Sequence, residues 1–271
     1  MGATQPLAGK RIVLTRAAED SAELGRALES LGAEINVMPA VAFAPPEDWQ
    51  KLDKQLRHLD WFDALLFLSK NAVRYIFDRC TQLGIKCEVV GSSNRFIAAV
   101  GPTTAEALRE KGLRVDYVAR KQTGEALVSE LRESLAGRRV LLPRSDRGDD
   151  RVPNALREIG AKVTEVIAYR TAAPAALDPA ILARIRGGGV DAVVFASPSA
   201  FHNFRDAIGA GDIARFSARV QFVAIGPTTG RAIRESGSHV AIEAEETSAA
   251  GLAAALANHY QQQRSPAARP A

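Results

Sequence analysis

The sequence predicts an α/β protein in which one parallel-sheet unit occurs twice. The 271-residue chain carries two colinear copies of the same motifs. Within each copy, short runs rich in Val, Ile, Leu and Phe alternate with amphipathic stretches, which is typical of parallel sheets covered by helices on both faces. The length suits two domains of about 100–150 residues. We therefore predict two α/β domains, with the chemistry in the cleft between the two copies.

The repeat is visible by direct comparison. The segment GKRIVLTR, which begins at Gly9, lines up with GRRVLLPR, which begins at Gly137, at a shift of 128 positions. At the same shift, residues 62–77 (FDALLFLSKNAVRYIF) match residues 190–205 (VDAVVFASPSAFHNFR). The segment AVGPTTAEALREKG from Ala99 matches AIGPTTGRAIRESG from Ala224, at a shift of 125. A colinear repeat of this length indicates a duplicated unit.

The individual elements follow from the apolar pattern, because short β-branched runs favour buried strands over helices. We predict strands at residues 11–15, 64–68, 96–100, 140–143, 192–196 and 222–225. We predict helices at residues 19–31, 69–82, 103–111, 149–159, 198–208 and 228–235. Glycine follows several of these helices, where a left-handed residue is expected: Gly32, Gly84, Gly112, Gly160 and Gly237.

Two extended apolar segments, residues 38–44 and 166–173, occupy equivalent places in the copies and are each closed by prolines. We interpret them as crossings between domains, at residues 39–43 and 167–171. Two crossings make one domain discontinuous, with residues 1–38 and 172–260 in the first domain and residues 44–166 in the second. Residues 261–271 contain few apolar side chains, and we expect a disordered tail.

Composition excludes several classes of protein. The net charge of +4 is mild and evenly spread, which argues against a nucleic-acid-binding protein. No apolar run reaches the roughly 20 residues needed to span a bilayer, and the first residues lack the apolar core of a secretory signal. We expect a cytoplasmic protein that contacts neither nucleic acid nor membrane. The cysteines Cys80 and Cys87 are expected to be free, and the four histidines lack metal-ligand spacing.

The motif Gly-Pro-Thr-Thr occurs in both copies between a strand and a helix, beginning at Gly101 and at Gly226. Pro suits the first helical positions, and we expect the Thr side chains to cap the free amides. Those amides lie where ligands of open α/β sheets bind, and a helix N-terminus attracts carboxylates and phosphates. Ser69-Lys70-Asn71 and Ser197-Pro198-Ser199 also follow strands directly. Plain helix capping remains the alternative for all four motifs.

Arginines follow the first strand of each copy, where a guanidinium can hold a carboxylate in a bidentate fork; a solvated loop arginine is the alternative. Tyr169 lies in the second crossing, where its phenol would face the cleft and donate a proton to a leaving hydroxyl. The alternative is a tyrosine packed at a domain junction. We predict Tyr169 as the catalytic residue. The predicted substrate-binding residues are Arg16, Ser69, Lys70, Asn71, Gly101, Thr103, Thr104, Arg144, Arg147, Ser197, Ser199, Gly226, Thr228 and Thr229.

These motifs resemble those of the uroporphyrinogen-III synthase family over residues 9–256. The likeness rests on VLTR from Val13, FLSKNAV from Phe67, AVGPTT from Ala99, GAKVTEVIAYRT from Gly160, FASPSA from Phe195 and AIGPTT from Ala224. The resemblance implies two flavodoxin-like domains joined by a two-stranded β ladder. It also implies a lyase that works without cofactor or metal, as a monomer with at most transient contact with the bilane-forming enzyme.

The implied reaction is cyclisation of hydroxymethylbilane, a polycarboxylate, with loss of water and inversion of ring D, in heme biosynthesis. By this resemblance, Tyr169 assists departure of the hydroxyl. Many family members carry R-G-x-x-G-R after the first strand of the second copy; residues 144–149 here read RSDRGD, so Asp149 replaces the second arginine. Arg147 or Arg151 is expected to substitute.

Three other functions compete with this interpretation. A non-enzymatic two-domain protein that binds a small anion would share the architecture. A flavodoxin-like electron carrier would bind a flavin and be yellow. A receiver domain would need an acidic cluster at its strand ends, whereas these strands end in Thr, Ser, Pro and Gly.

Overall fold

A computed structural model describes residues 5–92, 94–246 and 248–264. The chain divides into two compact units: unit 1 comprises Met1–Ala42 with Ala172–Ala271, and unit 2 comprises Phe43–Thr171. Among the described residues, no helix is both long and apolar enough to cross a bilayer. The same part of the chain holds no cluster of three or more His, Cys, Asp or Glu residues suited to a metal ion.

Unit 1 is built on a parallel sheet with the strand order β11-β10-β9-β1-β2. Its strands are β1 (Arg11–Leu14), β2 (Glu34–Val37), β9 (Ala192–Phe195), β10 (Gln221–Ala224) and β11 (Ile242–Glu243). Its helices are α1 (Ala18–Ser30), α9 (Pro179–Arg186), α10 (Pro198–Ile208), α11 (Ile213–Ser217), α12 (Pro227–Glu235) and α13 (Ala249–Arg264).

Unit 2 is built on a sheet with the order β3-β8-β7-β4-β5-β6. Its strands are β3 (Ala42–Ala44), β4 (Ala64–Phe67), β5 (Phe96–Ala99), β6 (Tyr117–Val118), β7 (Arg139–Ser145) and β8 (Lys162–Ala172). Its helices are α2 (Gln50–Arg57), α3 (Lys70–Gln82), α4 (Cys87–Val90), α5 (Pro102–Glu110), α6 (Gly124–Glu130), α7 (Arg132–Leu135) and α8 (Arg151–Glu158), with a 3-10 turn at Leu59–Trp61.

The predicted α/β class with two flavodoxin-like sheets is confirmed. In unit 1 the five strands follow the flavodoxin order 2-1-3-4-5. In unit 2 the order β8-β7-β4-β5-β6 places the strands that are equivalent in the repeat in the same positions, although β7 and β8 follow β4 to β6 along the chain. Each sheet combines strands from both sequence copies: β1 and β2 of the first copy lie beside β9 to β11 of the second. The strands β3, which contains the last two residues of the first predicted crossing, and β8, which contains the whole of the second, are neighbours in the sheet.

Helices cover both faces of each sheet, and alternate residues of the central strands face opposite cores. In unit 1, Val13 and Phe195 pack against α9, α10 and α12, whereas Ile12 and Val194 pack against α1 and α13. In unit 2, α2, α3 and α5 cover one face, and α6 and α8 cover the other. Full burial of such side chains contributes on the order of 2 kcal/mol each. The left-handed backbone predicted for the five helix-ending glycines is confirmed, with φ between 69° and 95°.

Two sequence predictions are wrong. The helices of the two Gly-Pro-Thr-Thr motifs begin one residue earlier than predicted, with Gly101 and Gly226 as N-caps and no side-chain cap. Pro at the first helical position fixes φ there, so the Thr residues lie inside the helix. Residues 261–264, predicted as part of a disordered tail, belong instead to α13, because Gln is a good helix former. Residues 265–271 lie outside the described residues.

Candidate active site

Three neighbouring strands of unit 1 end at one edge of the sheet and bring predicted site residues together there. Strands β1, β9 and β10 are adjacent and parallel, and they are followed by Arg16, Ser197 and Gly226. Hydrogen bonds that continue the ladder, such as Thr15 N–H to the Val194 carbonyl at 3.2 Å, keep this edge in register. The strand order reverses between β1 and β9, which is where open α/β sheets bind ligands.

Unit 2 places the equivalent residues at the equivalent edge. Strands β7, β4 and β5 are adjacent; Arg144 lies near the end of β7, and Ser69 and Gly101 follow β4 and β5. Here the strand order reverses between β7 and β4. Each unit therefore has a ligand-binding geometry at its carboxyl edge, and each predicted site residue lies on or beside that edge of its own unit.

A serine caps the helix that follows β4 in unit 2 and the helix that follows β9 in unit 1. Ser69 Oγ accepts a hydrogen bond from the Ala72 N–H, and Ser197 Oγ accepts one from the Ala200 N–H, both at 3.1 Å. This confirms the capping interpretation, and each bond stabilises its helix by about 1 kcal/mol. Three predicted residues of the first helical turns, Lys70, Asn71 and Ser199, are half-buried beside these caps.

The helices α5 and α12 begin differently, because a glycine N-cap has no side chain to offer. Thr103 and Thr228 are exposed, whereas Thr104 and Thr229 are buried. The N–H groups of the first turn consequently lack a side-chain cap. Such groups, aligned with the helix dipole, are donors for an anion.

Tyr169 lies on β8 with its hydroxyl 3.0 Å from Ser69 Oγ. The ring stacks on Tyr75, with centroids 5.7 Å apart and 14° between the planes, and it meets Phe43 edge-on at 5.5 Å. Tyr169 is buried, with 7% of its surface exposed. Tyr75 and Phe43 were not among the predicted site residues. Tyr75 lies in the repeated segment, about one and a half helical turns beyond Ser69.

Burial raises the pKa of Tyr169 above its usual value of 10.0, the hydrogen bond with Ser69 lowers it, and the charge of Asp146 raises it. The net direction is upward, so the phenol keeps its proton throughout the neutral range. A tyrosine in this state can donate a proton but cannot act as a base.

The arginines after the first strands differ in their surroundings. Arg16 and Arg147 are exposed. The Arg144 side chain is only 11% exposed, and its guanidinium contacts Glu165, Asp150 and the Gly148 carbonyl. The Arg144 side chain therefore stabilises the loop that follows β7.

The residue that replaces the family's second loop arginine is also paired. Asp149 accepts a hydrogen bond from Arg151 Nη2 at 2.6 Å, which lowers the pKa of the carboxyl group. Arg151 also contacts Glu125 at 2.7 Å. Arg151 is therefore held by two carboxylates, which weakens its case as the substitute arginine.

Both cysteines are free thiols, as predicted. Burial raises the pKa of Cys80 to about 11, so this thiol is not a nucleophile at neutral pH. Cys87 is exposed.

Comparison with known proteins decides the family. The family model described as uroporphyrinogen-III synthase HemD matches residues 22–254. The chain belongs to the uroporphyrinogen-III synthase family. A uroporphyrinogen-III synthase of Synechococcus elongatus is 33% identical, over 94% of this chain and 97% of its own length. A putative uroporphyrinogen-III synthase of Methanothermobacter thermautotrophicus is 32% identical, over 91% of this chain and 97% of its own.

Solved structures of the family share the fold. A uroporphyrinogen-III synthetase from Helicobacter pylori has a TM-score of 0.60 at 19% identity, and the match covers 92% of this chain and 99% of that one. A mutant uroporphyrinogen III synthase from Thermus thermophilus has a TM-score of 0.57 at 22% identity, covering 94% of this chain and 100% of that one.

Proposed function

We propose that this chain closes hydroxymethylbilane to uroporphyrinogen III, with loss of water and inversion of ring D. The family assignment gives the reaction, and the observation that carries the mechanism is the hydrogen bond between Tyr169 and Ser69 at the carboxyl edge of unit 2. The reaction eliminates water, so the enzyme is a lyase. Burial raises the pKa of Tyr169, so this predicted site residue keeps its phenol proton at neutral pH.

The proton positions follow from the contacts of Ser69. Its Oγ already accepts the Ala72 N–H, so its own hydrogen is available for the Tyr169 oxygen. Tyr169 can then donate its hydrogen to the hydroxyl that leaves from the ring A end as water, which gives an azafulvene. The phenolate left behind accepts the Ser69 hydrogen bond at the N-terminus of α3, where negative charge is stabilised. The proton that ring D loses when it regains aromaticity after ring closure returns to the phenolate, and this closes the cycle.

Inversion of ring D is a problem of positioning. The unaided bilane closes without inversion, so the enzyme must hold ring D where its substituted carbon attacks first. The resulting spiro intermediate then fragments at its bond to the ring C bridge and recloses through the other α-carbon of ring D. The substrate carries eight carboxylates. We propose that the free first-turn N–H groups of α5 and α12 bind them, together with Arg16, Arg147 and the side chains of Lys70, Asn71 and Ser199.

No step of this mechanism requires a cofactor or a metal. We further propose that the enzyme acts as a monomer in the cytoplasm and meets the bilane-forming enzyme only transiently. Sedimentation at micromolar concentration tests the monomer, and a dimer would contradict it.

The direct test of the activity supplies freshly formed hydroxymethylbilane from the bilane-forming enzyme and separates the product isomers by chromatography. We expect the type III isomer in excess over type I when this chain is present. A product mixture equal to that of the reaction without this chain would refute the function. In that case binding of the polycarboxylate without turnover would support the non-enzymatic anion-binding alternative.

A further inference from the structure

A β-bulge determines which face of β8 carries Tyr169. Arg144 of β7 pairs with Ile167 of β8, but the next residue, Ser145, pairs with Tyr169, so Ala168 is an extra residue on β8. Side chains alternate between the faces of a regular strand, and a bulge interrupts this alternation. Ile167 is 38% exposed, whereas Ala168 and Tyr169 are both buried. Without the bulge, Tyr169 would lie on the face of Ile167, away from Ser69.

The carboxylate of Asp146 holds the strand directly after the bulge. Asp146 Oδ1 accepts the Thr171 N–H at 2.8 Å, and the Asp146 N–H donates to the Tyr169 carbonyl at 3.2 Å. Ser145 Oγ donates to the same Asp146 oxygen at 3.0 Å and lies 3.0 Å from Thr171 Oγ1. The backbone of Tyr169 is therefore tied to the β7 end at its own carbonyl and, two residues on, at Thr171.

The corresponding strand of unit 1 ends before the position at which the bulge lies in unit 2. β1 and β2 pair in regular register as far as Leu14 and Val37, and the strand ends before Pro39. Pro39 aligns with Ile167 in the repeat, and Val41 aligns with Tyr169. β8 continues past Ile167 as far as Ala172, whereas in unit 1 one further bond follows Pro39, from the Ala40 N–H to the Thr15 carbonyl at 2.9 Å. The bulge at Ala168 and the Asp146 carboxylate both lie in the sequence copy that contains Tyr169.

We propose that Asp146 is a positioning residue for the proposed reaction: its side chain fixes the bulge that aims the Tyr169 hydroxyl at Ser69. This inference rests on the proposed function. Asp146 need not touch the substrate, since its contribution is made through the backbone of Tyr169. Loss of the two hydrogen bonds at Asp146 Oδ1 lets the hydroxyl move away from Ser69 and from the leaving group.

The first test compares Asp146→Ala with Asp146→Asn in the coupled assay. Alanine removes the acceptor, and we expect kcat to fall about tenfold with KM within about twofold, because misplacement of a reacting group slows the chemical step. Asparagine keeps an acceptor oxygen of the same shape, and we expect most of kcat to return. Asp48→Ala is the matched control: Asp48 also accepts a backbone N–H, from Gln50 at 2.8 Å, in the same unit.

A second comparison separates positioning from general damage to the fold. In the Tyr169→Phe background, Asp146→Ala should cause no further loss of kcat, because the hydroxyl that it positions is gone. Equal losses in both backgrounds, or a kcat unchanged by Asp146→Ala, would overturn the proposal. So would an asparagine variant as slow as the alanine variant.

A spectroscopic test does not depend on turnover. In protein labelled with 3-fluorotyrosine, the Tyr169 resonance is assigned by its loss in Tyr169→Phe. We expect Asp146→Ala to shift or broaden that resonance, and Asp146→Asn to leave it near its original position. An unmoved resonance in Asp146→Ala contradicts the positioning role, whereas absence of type III product from the wild-type chain contradicts the proposed function alone.

Discussion

The carboxyl edges of units 1 and 2 share the positions of repeat-equivalent strands and the serine caps, but the tyrosine that we propose as the proton donor lies in unit 2. In unit 2, Ser69 contacts the hydroxyl of Tyr169, which stacks on Tyr75. In unit 1 the residue that aligns with Tyr75 is Asn203, whose Nδ2 donates to the Ala40 carbonyl at 2.7 Å. The equivalent positions of the two units therefore carry different side chains with different contacts.

The difference suggests how a duplicated fold acquires an asymmetric reaction. Both edges keep the helix N-termini that attract carboxylates, because those depend on backbone geometry that survives sequence drift. The proposed proton donor depends on one side chain and one bulge, both of which lie in the second copy. We therefore expect variants of unit 2 to change the rate and equivalent variants of unit 1 to change mainly stability and binding.

The largest effect is expected for Tyr169→Phe, which removes the hydroxyl but keeps the stacked ring. Loss of a general acid slows catalysis by about 100-fold or more, and we expect kcat in the coupled assay to fall accordingly. Tyr117→Phe is the matched control, because the Tyr117 hydroxyl donates to Glu130 at 2.9 Å on the far strand of the same sheet. Unchanged turnover in Tyr169→Phe would remove this residue from the mechanism.

The two serine caps allow the units to be compared directly. Ser69→Ala and Ser197→Ala each lose one cap, and each should lower the free energy of unfolding by about 1 kcal/mol in urea denaturation. Only Ser69→Ala also loses the contact with Tyr169, so its kcat should fall about tenfold further. Equal kcat values for the two variants would show that the units do not differ as proposed.

The pH dependence of kcat should show the raised pKa of Tyr169. The donor is the protonated phenol, so the contribution of Tyr169 is complete below its pKa and is lost only as pH rises through a value above 10.0. Ser69→Ala removes the hydrogen bond that lowers this pKa, and the alkaline limb should therefore move to higher pH. An alkaline limb near neutral pH that disappears in Tyr169→Phe would contradict the assignment.

The smallest effects are expected for Thr103→Ala and Thr228→Ala, one in each unit. The first-turn N–H groups remain in both variants, so KM should rise by no more than about threefold. A KM raised by more than tenfold in either variant would mean that the threonine hydroxyl, rather than the backbone N–H groups, binds the substrate.

Much of the fold was predictable from the sequence because strand and helix patterns repeat in both copies. The positions of Ser69 and the Gly-Pro-Thr-Thr motifs after strands also followed from the sequence, as did the extended backbone at Tyr169. The edge strands β6 and β11 escaped detection because two residues are too few to show a period. The bulge at Ala168 was not visible, since it depends on how two strands pair. The capture of Arg144 by Glu165 depends on the same pairing, between residues distant in sequence.

We propose that unit 2 supplies the proton, whereas binding of the substrate carboxylates selects the isomer. The most direct test is the isomer ratio formed by Tyr169→Phe when the enzyme exceeds the bilane, so that each bilane is bound before it closes unaided. We expect slow formation of the type III isomer, because the groups that bind the carboxylates are intact and only the proton donor is missing. Type I in the proportion formed without enzyme would contradict the claim.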